Sequence, residues 1–236
     1  MGFILTFTSI LIAVVSFYFF SSNADMPSIA VARAANAAFN PSYNPVAIFV
    51  GGTAGIGQGL VEAFGEHVKG KAHIVIIGRN QEAANTILAS LPKPKDGEHT
   101  HEFVQCDVSR MKNIQAVTQD LNKRLPKLNF LFMSQGFMTT KGREETEEGL
   151  DKKLAVHYYS RWKFTNDFLP LLKKAKDAGE DAKVLSVLGA GKGGDIDLGD
   201  LGLKKTYTTA AAGLQAPTYN DLAFKASSSY IIPQNV

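Results

Sequence analysis

Cysteine is all but missing from this sequence: Cys106 is the only one in 236 residues. An intrachain disulfide is therefore excluded, cysteine-based metal spacing is absent, and a reducing compartment suits the chain. N-glycan acceptors are lacking too, because Asn40 is followed by Pro41 and no other asparagine opens an N-x-S/T triplet. Both absences speak against a secreted product. Excess charge of either sign is small. With a formal net charge of +3 and basic residues dispersed among acidic ones, the chain shows no footprint for nucleic acid. Its length and ordinary apolar fraction suit one α/β domain with a substantial core.

Charge is wholly absent from Phe3 to Phe20, an apolar stretch of eighteen residues interrupted by Thr6, Thr8, Ser9 and Ser16. It approaches the length of a bilayer span. The first basic residue, Arg33, follows it, which places the body of an anchored protein in the cytosol, as at an endoplasmic-reticulum surface. Two readings stand beside that membrane association of residues 1–25. Ser21, Ser22 and Ala24 suit a cleaved signal, although no basic residue precedes the apolar run. Alternatively Met26 opens the protein, residues 1–25 are unused and the product is cytoplasmic. Residues 26–44 are Ala-rich and then Pro-bearing, and read as a loose linker to a domain over 45–236.

What the chain does have is a strand, a glycine turn and a helix start in immediate succession. Val46, Ala47, Ile48, Phe49 and Val50 form the continuous apolar run of a strand buried on both faces. Gly51, Gly55 and Gly57 follow in the spacing G-x-x-x-G-x-G, and Leu60, Val61 and Phe64 then recur at helical spacing. In that order, glycines let backbone N–H groups approach a diphosphate while the helix dipole favours its charge. A tight βα turn without a ligand is the plainer alternative. A P-loop is excluded, since Gln58 and Gly59 stand where Lys and Ser or Thr are needed. A second strand over 72–77 ends at Gly78, Arg79 and Asn80. A basic residue there favours a ribose 2′-phosphate, hence NADP, with a solvated arginine as the alternative.

The motif resembles the short-chain dehydrogenase/reductase family, whose first turn reads T-G-x-x-x-G-x-G, with Val50 here at the threonine. Further matches run in order from Pro45 to Tyr219, and the resemblance is strongest to reductases of filamentous fungi, some of which serve secondary-metabolite pathways. It implies an α/β fold with a Rossmann-like doubly wound parallel sheet, NADP or else NAD as cofactor, and a small-molecule carbonyl or alcohol as substrate. Gly51, Gly55, Ile56 and Gly57 would hold the diphosphate. Asp107 and Val108, delivered by a strand over 103–105, would flank the adenine; a plain N-cap for a helix over 109–125 is compatible with that role for Asp107. Gly136 would border the cofactor after a strand over 128–133, as the one residue of the family's N-N-A-G turn kept here, where Ser134 and Gln135 precede it.

The resemblance also implies that Ser186, in the segment S-x-x-G closed by Gly189, hydrogen-bonds a substrate carbonyl, and that Tyr219 supplies the proton. The lysine that should lower the tyrosine pKa is absent: Ala223 stands four residues on, and Lys225 at offset six turns to the opposite side of a helix. Tyr207 is the alternative tyrosine. Tyr159 and Lys163 satisfy Y-x-x-x-K but precede Ser186 inside an amphipathic helix over 150–176, and read as helix residues. His157 falls near the asparagine of the family's proton relay, with a packed histidine as the alternative. The glycine-rich stretch 189–218 reads as a loop or irregular lid. After Tyr219 the family adds a sixth and usually a seventh strand, whereas this sequence ends at Val236. A five-strand sheet lacking the C-terminal strands is expected, with an edge that a second copy would cover. Beside an NADP-dependent oxidoreductase stand two rivals, a catalytically silent nucleotide-binding scaffold and a non-redox isomerase or dehydratase.

Overall fold

The computed structural model describes residues 28–94, 100–189 and 191–231. The apolar segment 3–20 lies outside them; among the described residues no helix is long and apolar enough to cross a membrane. Residues 1–40 and 41–236 are separate compact units. In the first, α1 (Ile29–Ala37) is capped by the Ser28 hydroxyl, which accepts from the Val31 N–H at 3.3 Å. The expected loose linker is thus partly helical, because alanine has the highest helix propensity and only Pro41 enforces a stop. The second unit begins ahead of the expected boundary at 45, since the Tyr43 hydroxyl donates to Asp181 Oδ2 at 2.6 Å.

Five strands form one sheet: β1 (Val46–Val50), β2 (His73–Gly78), β3 (His101–Gln105), β4 (Phe130–Met133) and β5 (Lys183–Ser186). Their order is β3-β2-β1-β4-β5 and every neighbouring pair is parallel. Helices α2 (Gly55–His67), α3 (Gln81–Ser90) and α4 (Met111–Arg124) connect the first four strands. A long helical segment then runs as α5 (Lys152–Leu154), a π-helical turn (Ala155–Tyr159) and α6 (Ser160–Asp177), and α7 (Thr209–Ile231) follows β5.

β1 is buried on both faces, as its unbroken apolar run requires. Val46, Ile48 and Val50 share a core with Val75, Ile77, Leu131 and Met133 and, from α4 and α6, Ile114, Leu121, Phe164 and Phe168. On the opposite face Phe49 stacks on Phe132 with centroids 4.7 Å apart, and Phe64 of α2 meets Phe49 edge-on at 5.7 Å. Helices on both faces of a parallel sheet whose order reverses between β1 and β4 make the doubly wound fold that the sequence led us to expect.

Three local expectations are corrected. Strand β4 begins at Phe130 rather than Leu128, because the Leu128 N–H turns to the Leu171 carbonyl at 3.1 Å and the Val46 N–H goes to the buried Asn129 side chain, whose Oδ1 accepts at 2.9 Å. Asp107 is not the N-cap of α4; its Oδ1 accepts from the Ser109 N–H and hydroxyl at 3.0 and 2.8 Å. The cap comes from across the chain, where Glu148 accepts from the N–H groups of Met111 and Lys112 at 2.7 and 2.8 Å. Finally, the loop after β5 stops at Thr208 rather than Thr218: Thr208 caps the alanine run, accepting from the Ala211 N–H at 2.9 Å, and Tyr219 sits inside α7.

Candidate active site

The sheet's carboxyl ends open on two adjoining cavities that share Ser134, Gln135, Gly136 and Phe137. The one over β1 to β4 encloses about 390 Å³ and is lined by residues that follow each of those strands, among them Gly51, Thr53, Arg79, Asp107, Val108 and Gly136. A reversal of strand order leaves a crevice between the connections on either side, which is where open α/β sheets take ligands. Five of the residues read from the sequence as cofactor contacts therefore meet in one place: Gly51, Arg79, Asp107, Val108 and Gly136. Thr53, Ser109 and Lys152 join them without having been singled out in the sequence.

The remaining glycines act differently. Gly57 is buried, and a β-carbon there would meet the Gly51 carbonyl oxygen at 2.2 Å and Ser134 Oγ at 2.3 Å, so it lets α2 close onto the ends of β1 and β4. Gly55 has φ +55°, and open space where a β-carbon would stand. Ile56 is exposed beside it. Helix α2 starts at Ala54 with no side-chain cap, leaving its first N–H groups without helical partners. This combination suits a diphosphate, which would cap the helix and accept the exposed N–H groups. Asp107 is fitted to a polar ligand group as well. Burial pushes its pKa up, but the two Ser109 hydrogen bonds and the charges of Arg79 and Arg110 outweigh this and hold the carboxyl below its ordinary value.

The second cavity, of about 580 Å³, lies between the turn after β4, the turn after β5, the π-helical turn and the start of α7. His157 and Arg161 line it from one helical segment. The π turn adds a residue to the helix at this point, a feature frequent at functional sites. The His157 ring packs against Gly136, and its Nε2 lies 3.3 Å from the Phe137 N–H and 3.1 Å from the Phe137 carbonyl oxygen. Burial lowers its pKa, so the ring is neutral near pH 7. The backbone carbonyl of His157 accepts from Asn220 Nδ2 at 2.9 Å, which docks α7 onto the π turn.

Neither Ser186 nor Tyr219 lines either cavity. Ser186 Oγ accepts from the Arg161 guanidinium at 2.6 Å, and the residues that face the cavity after β5 are Val187, Leu188 and Gly189. The Tyr219 hydroxyl donates to Gln215 Oε1 at 2.7 Å and lies 3.1 Å from the Leu201 carbonyl, and its ring packs on Tyr158 at 5.2 Å. Burial, with neighbouring tyrosines and aspartates, raises its pKa, opposite to what a proton-donating tyrosine needs. The two hydroxyls thus have different hydrogen-bond partners, Arg161 for Ser186 and Gln215 with the Leu201 carbonyl for Tyr219. Tyr159 and Lys163 lie along the helical segment as expected, Lys163 paired with Asp167 at 2.7 Å.

Comparison with known proteins agrees with this geometry. The pattern of the short chain dehydrogenase family matches residues 45–195. Oxidoreductase AN1596 of Emericella nidulans is 36% identical over 202 residues, covering 85% of this chain and 58% of that protein. The chain thus spans little more than half the length of that relative. Among solved structures, NADH-dependent reductase A1-R′ complexed with NAD superposes with a TM-score of 0.55 at 16% identity, covering 80% of this chain and 73% of the other. A metagenomic short-chain oxidoreductase in complex with NADP gives 0.56 at 16%, covering 79% and 76%. With the strand order, the glycine turn and the cavity at the switch point already in place, the family match over residues 45–195 makes this chain a member of the short chain dehydrogenase family.

Proposed function

We propose that this protein is an NADP-dependent oxidoreductase that interconverts a carbonyl and an alcohol on a small molecule, in the manner of the fungal reductases of secondary metabolism that its motifs resemble. The observation that carries this reading is the adjoining of the two cavities across Ser134–Phe137: one fits a dinucleotide, the other is free to take a substrate beside it. The cofactor, when bound, supplies the hydride. Its diphosphate would be held by the start of α2 at Gly55, Ile56 and Gly57 with Gly51 and Thr53 near it. Its adenosine would lie by Asp107 and Val108, with Arg79 against a 2′-phosphate. In the substrate cavity the neutral His157 ring, its pKa lowered first by burial, would serve as a proton acceptor.

A second reading rests on a separate observation. The Ser186 and Tyr219 hydroxyls are both engaged in internal hydrogen bonds, to Arg161 and Gln215, which favours a nucleotide-binding protein without turnover. One experiment separates the two. NADPH and NADH are titrated by nucleotide fluorescence against the full chain, and a panel of aldehydes and ketones is then screened for NADPH consumption. Binding with preference for NADPH and measurable turnover supports the reductase; binding without turnover supports the silent protein. Absence of nucleotide binding by folded protein overturns both.

A further inference from the structure

Arg161 is a buried charge without a counter-charge. The residue is 2% exposed, and its guanidinium donates to the carbonyl oxygens of Met133 and Gln135 at 3.0 and 2.7 Å and to Ser186 Oγ at 2.6 Å. Its Nε has no partner, and among the described residues no carboxylate pairs with it. Burial alone pushes its pKa down to about 10. An uncompensated buried ion costs several kcal/mol, so such a charge is retained where something else supplies the anion.

The surroundings point the same way. Arg161 lines the 580 Å³ cavity together with Lys153 and Lys192, and no Asp or Glu is among the residues lining it. Lys153 Nζ donates only to the Thr139 carbonyl oxygen, at 3.2 Å, among the hydrogen bonds described. Helix α7 also starts on the cavity: Thr209 and Ala210 line it, no acidic residue stands in the first turn, and the Thr208 hydroxyl takes only the Ala211 N–H. The first N–H groups of a 23-residue helix therefore add a positive pole to the cationic wall. Most of the remaining wall is apolar, with Phe137, Met138, Leu188 and Pro217.

We propose that this cavity takes an amphiphilic organic acid, its carboxylate held by Lys153, Lys192 and the start of α7 in front of Arg161, and its apolar body against the Phe137–Leu188 side. The assignment names the substrate class of the cavity read above as the substrate site, and rests on that reading. A carboxylate completes the charge balance that Arg161 lacks, while an apolar chain matches the rest of the wall. No bond is made or broken at the carboxylate, which serves only to orient the molecule.

The test is calorimetric titration of the full chain with sodium octanoate and, separately, with 1-octanol, a probe of the same length without the charge. Octanoate is expected to bind about tenfold more tightly or better, as charge-assisted hydrogen bonds allow. In Lys153→Ala, which leaves the β4 and β5 ends held by Arg161, that advantage is expected to shrink severalfold while 1-octanol is unaffected. Equal affinities for the two probes would overturn the proposal and leave the substrate cavity standing, since both would still bind. Failure of both probes to bind a protein that still binds NADPH would overturn the proposal and the substrate-cavity reading together. Displacement of octanoate by NADPH would also overturn it, because the cations would then be serving the cofactor.

Discussion

The two ends of the sheet are built to opposite rules. At the amino end of β1, β4 and β5, Asn129 uses both ends of its amide: Oδ1 accepts from Val46, and Nδ2 donates to Glu180 Oε2 and to the Asp181 carbonyl, each at 2.9 Å. Lys127 pairs with Glu180 and lies over the Tyr43 ring, while Asp181 takes the Tyr43 hydroxyl and Lys183. At the carboxyl end, buried atoms stay unpartnered. Gln135 Oε1 and Arg161 Nε have no hydrogen bond, and α2 begins without a side-chain cap. An unmet donor or acceptor in the interior costs roughly 1–3 kcal/mol, so a ligand arriving at the rim gains by meeting these groups, whereas those of Asn129 are already met. The same sheet thus carries a closed base and an open rim.

Breaking the base should give the largest effect. Asn129→Ala strands the Val46 N–H and the Asp181 carbonyl in the interior, and is expected to lower unfolding free energy by about 3 kcal/mol in urea denaturation. NADPH affinity, measured on the fraction still folded, should stay within twofold. A loss of affinity with intact stability would contradict the division of labour. Next comes Gly57→Ala, where the new β-carbon collides with the Gly51 backbone as well as with Ser134 Oγ. We expect about 2 kcal/mol of destabilisation together with loss of nucleotide binding, because the collision pushes α2 off the strand ends that shape the cavity. Substitution at the exposed rim should separate binding from stability. Arg79→Ala is expected to weaken NADPH by about tenfold, leave NADH unchanged and shift the urea midpoint negligibly. Equal weakening of both nucleotides would remove the argument for NADP.

How much of this could be read without coordinates follows from what each signal depends on. The strand, glycine turn and helix start lie within twenty residues, and local patterns of that kind survive folding because the backbone itself makes the site. Gly51, Arg79, Asp107, Val108 and Gly136 were legible for a related reason: each follows a strand, and parallel strands deliver their ends to one rim. Asn129 and Glu148 were not, since their partners stand up to 83 residues away and a polar residue beside an apolar run reads as a turn. The hydrogen-bond partners of Ser186 and Tyr219 were equally hidden. Spacing places a hydroxyl along the chain, but whether it faces a cavity or an internal acceptor is set by packing, here by Arg161 and Gln215. Lys153, His157 and Arg161 did carry a signal, four residues apart on one helix, which a reading of faces rather than motifs would have caught.

The smallest effect concerns protons, and it too divides the ends. His157 at the rim is buried neutral, with its pKa lowered first by desolvation and further by Arg161 and Lys153. As pH falls below the ordinary histidine value of about 6.5, the unfolded chain takes up a proton that the folded protein refuses, so stability is intact above that pH and declines beneath it. One such group limits the slope to about 1.4 kcal/mol per pH unit, and the decline ends once the folded protein is protonated as well. At the base the sign is the same but the window is lower. The Asp181 carboxyl is held down by Lys183 and Tyr43, and that of Glu180 by Lys127 and Asn129 against the effect of burial, so both stay ionised and lose their contribution only beneath the ordinary carboxylate range. Urea midpoints measured between pH 7 and 5 should therefore fall more steeply for the native sequence than for His157→Asn, which keeps a polar side chain at the π turn without the titrating ring. Below pH 4 the two curves should run parallel, as the base gives way in both. Parallel curves throughout would mean that His157 titrates normally, and that the rim is open enough to water to lose the character assigned to it.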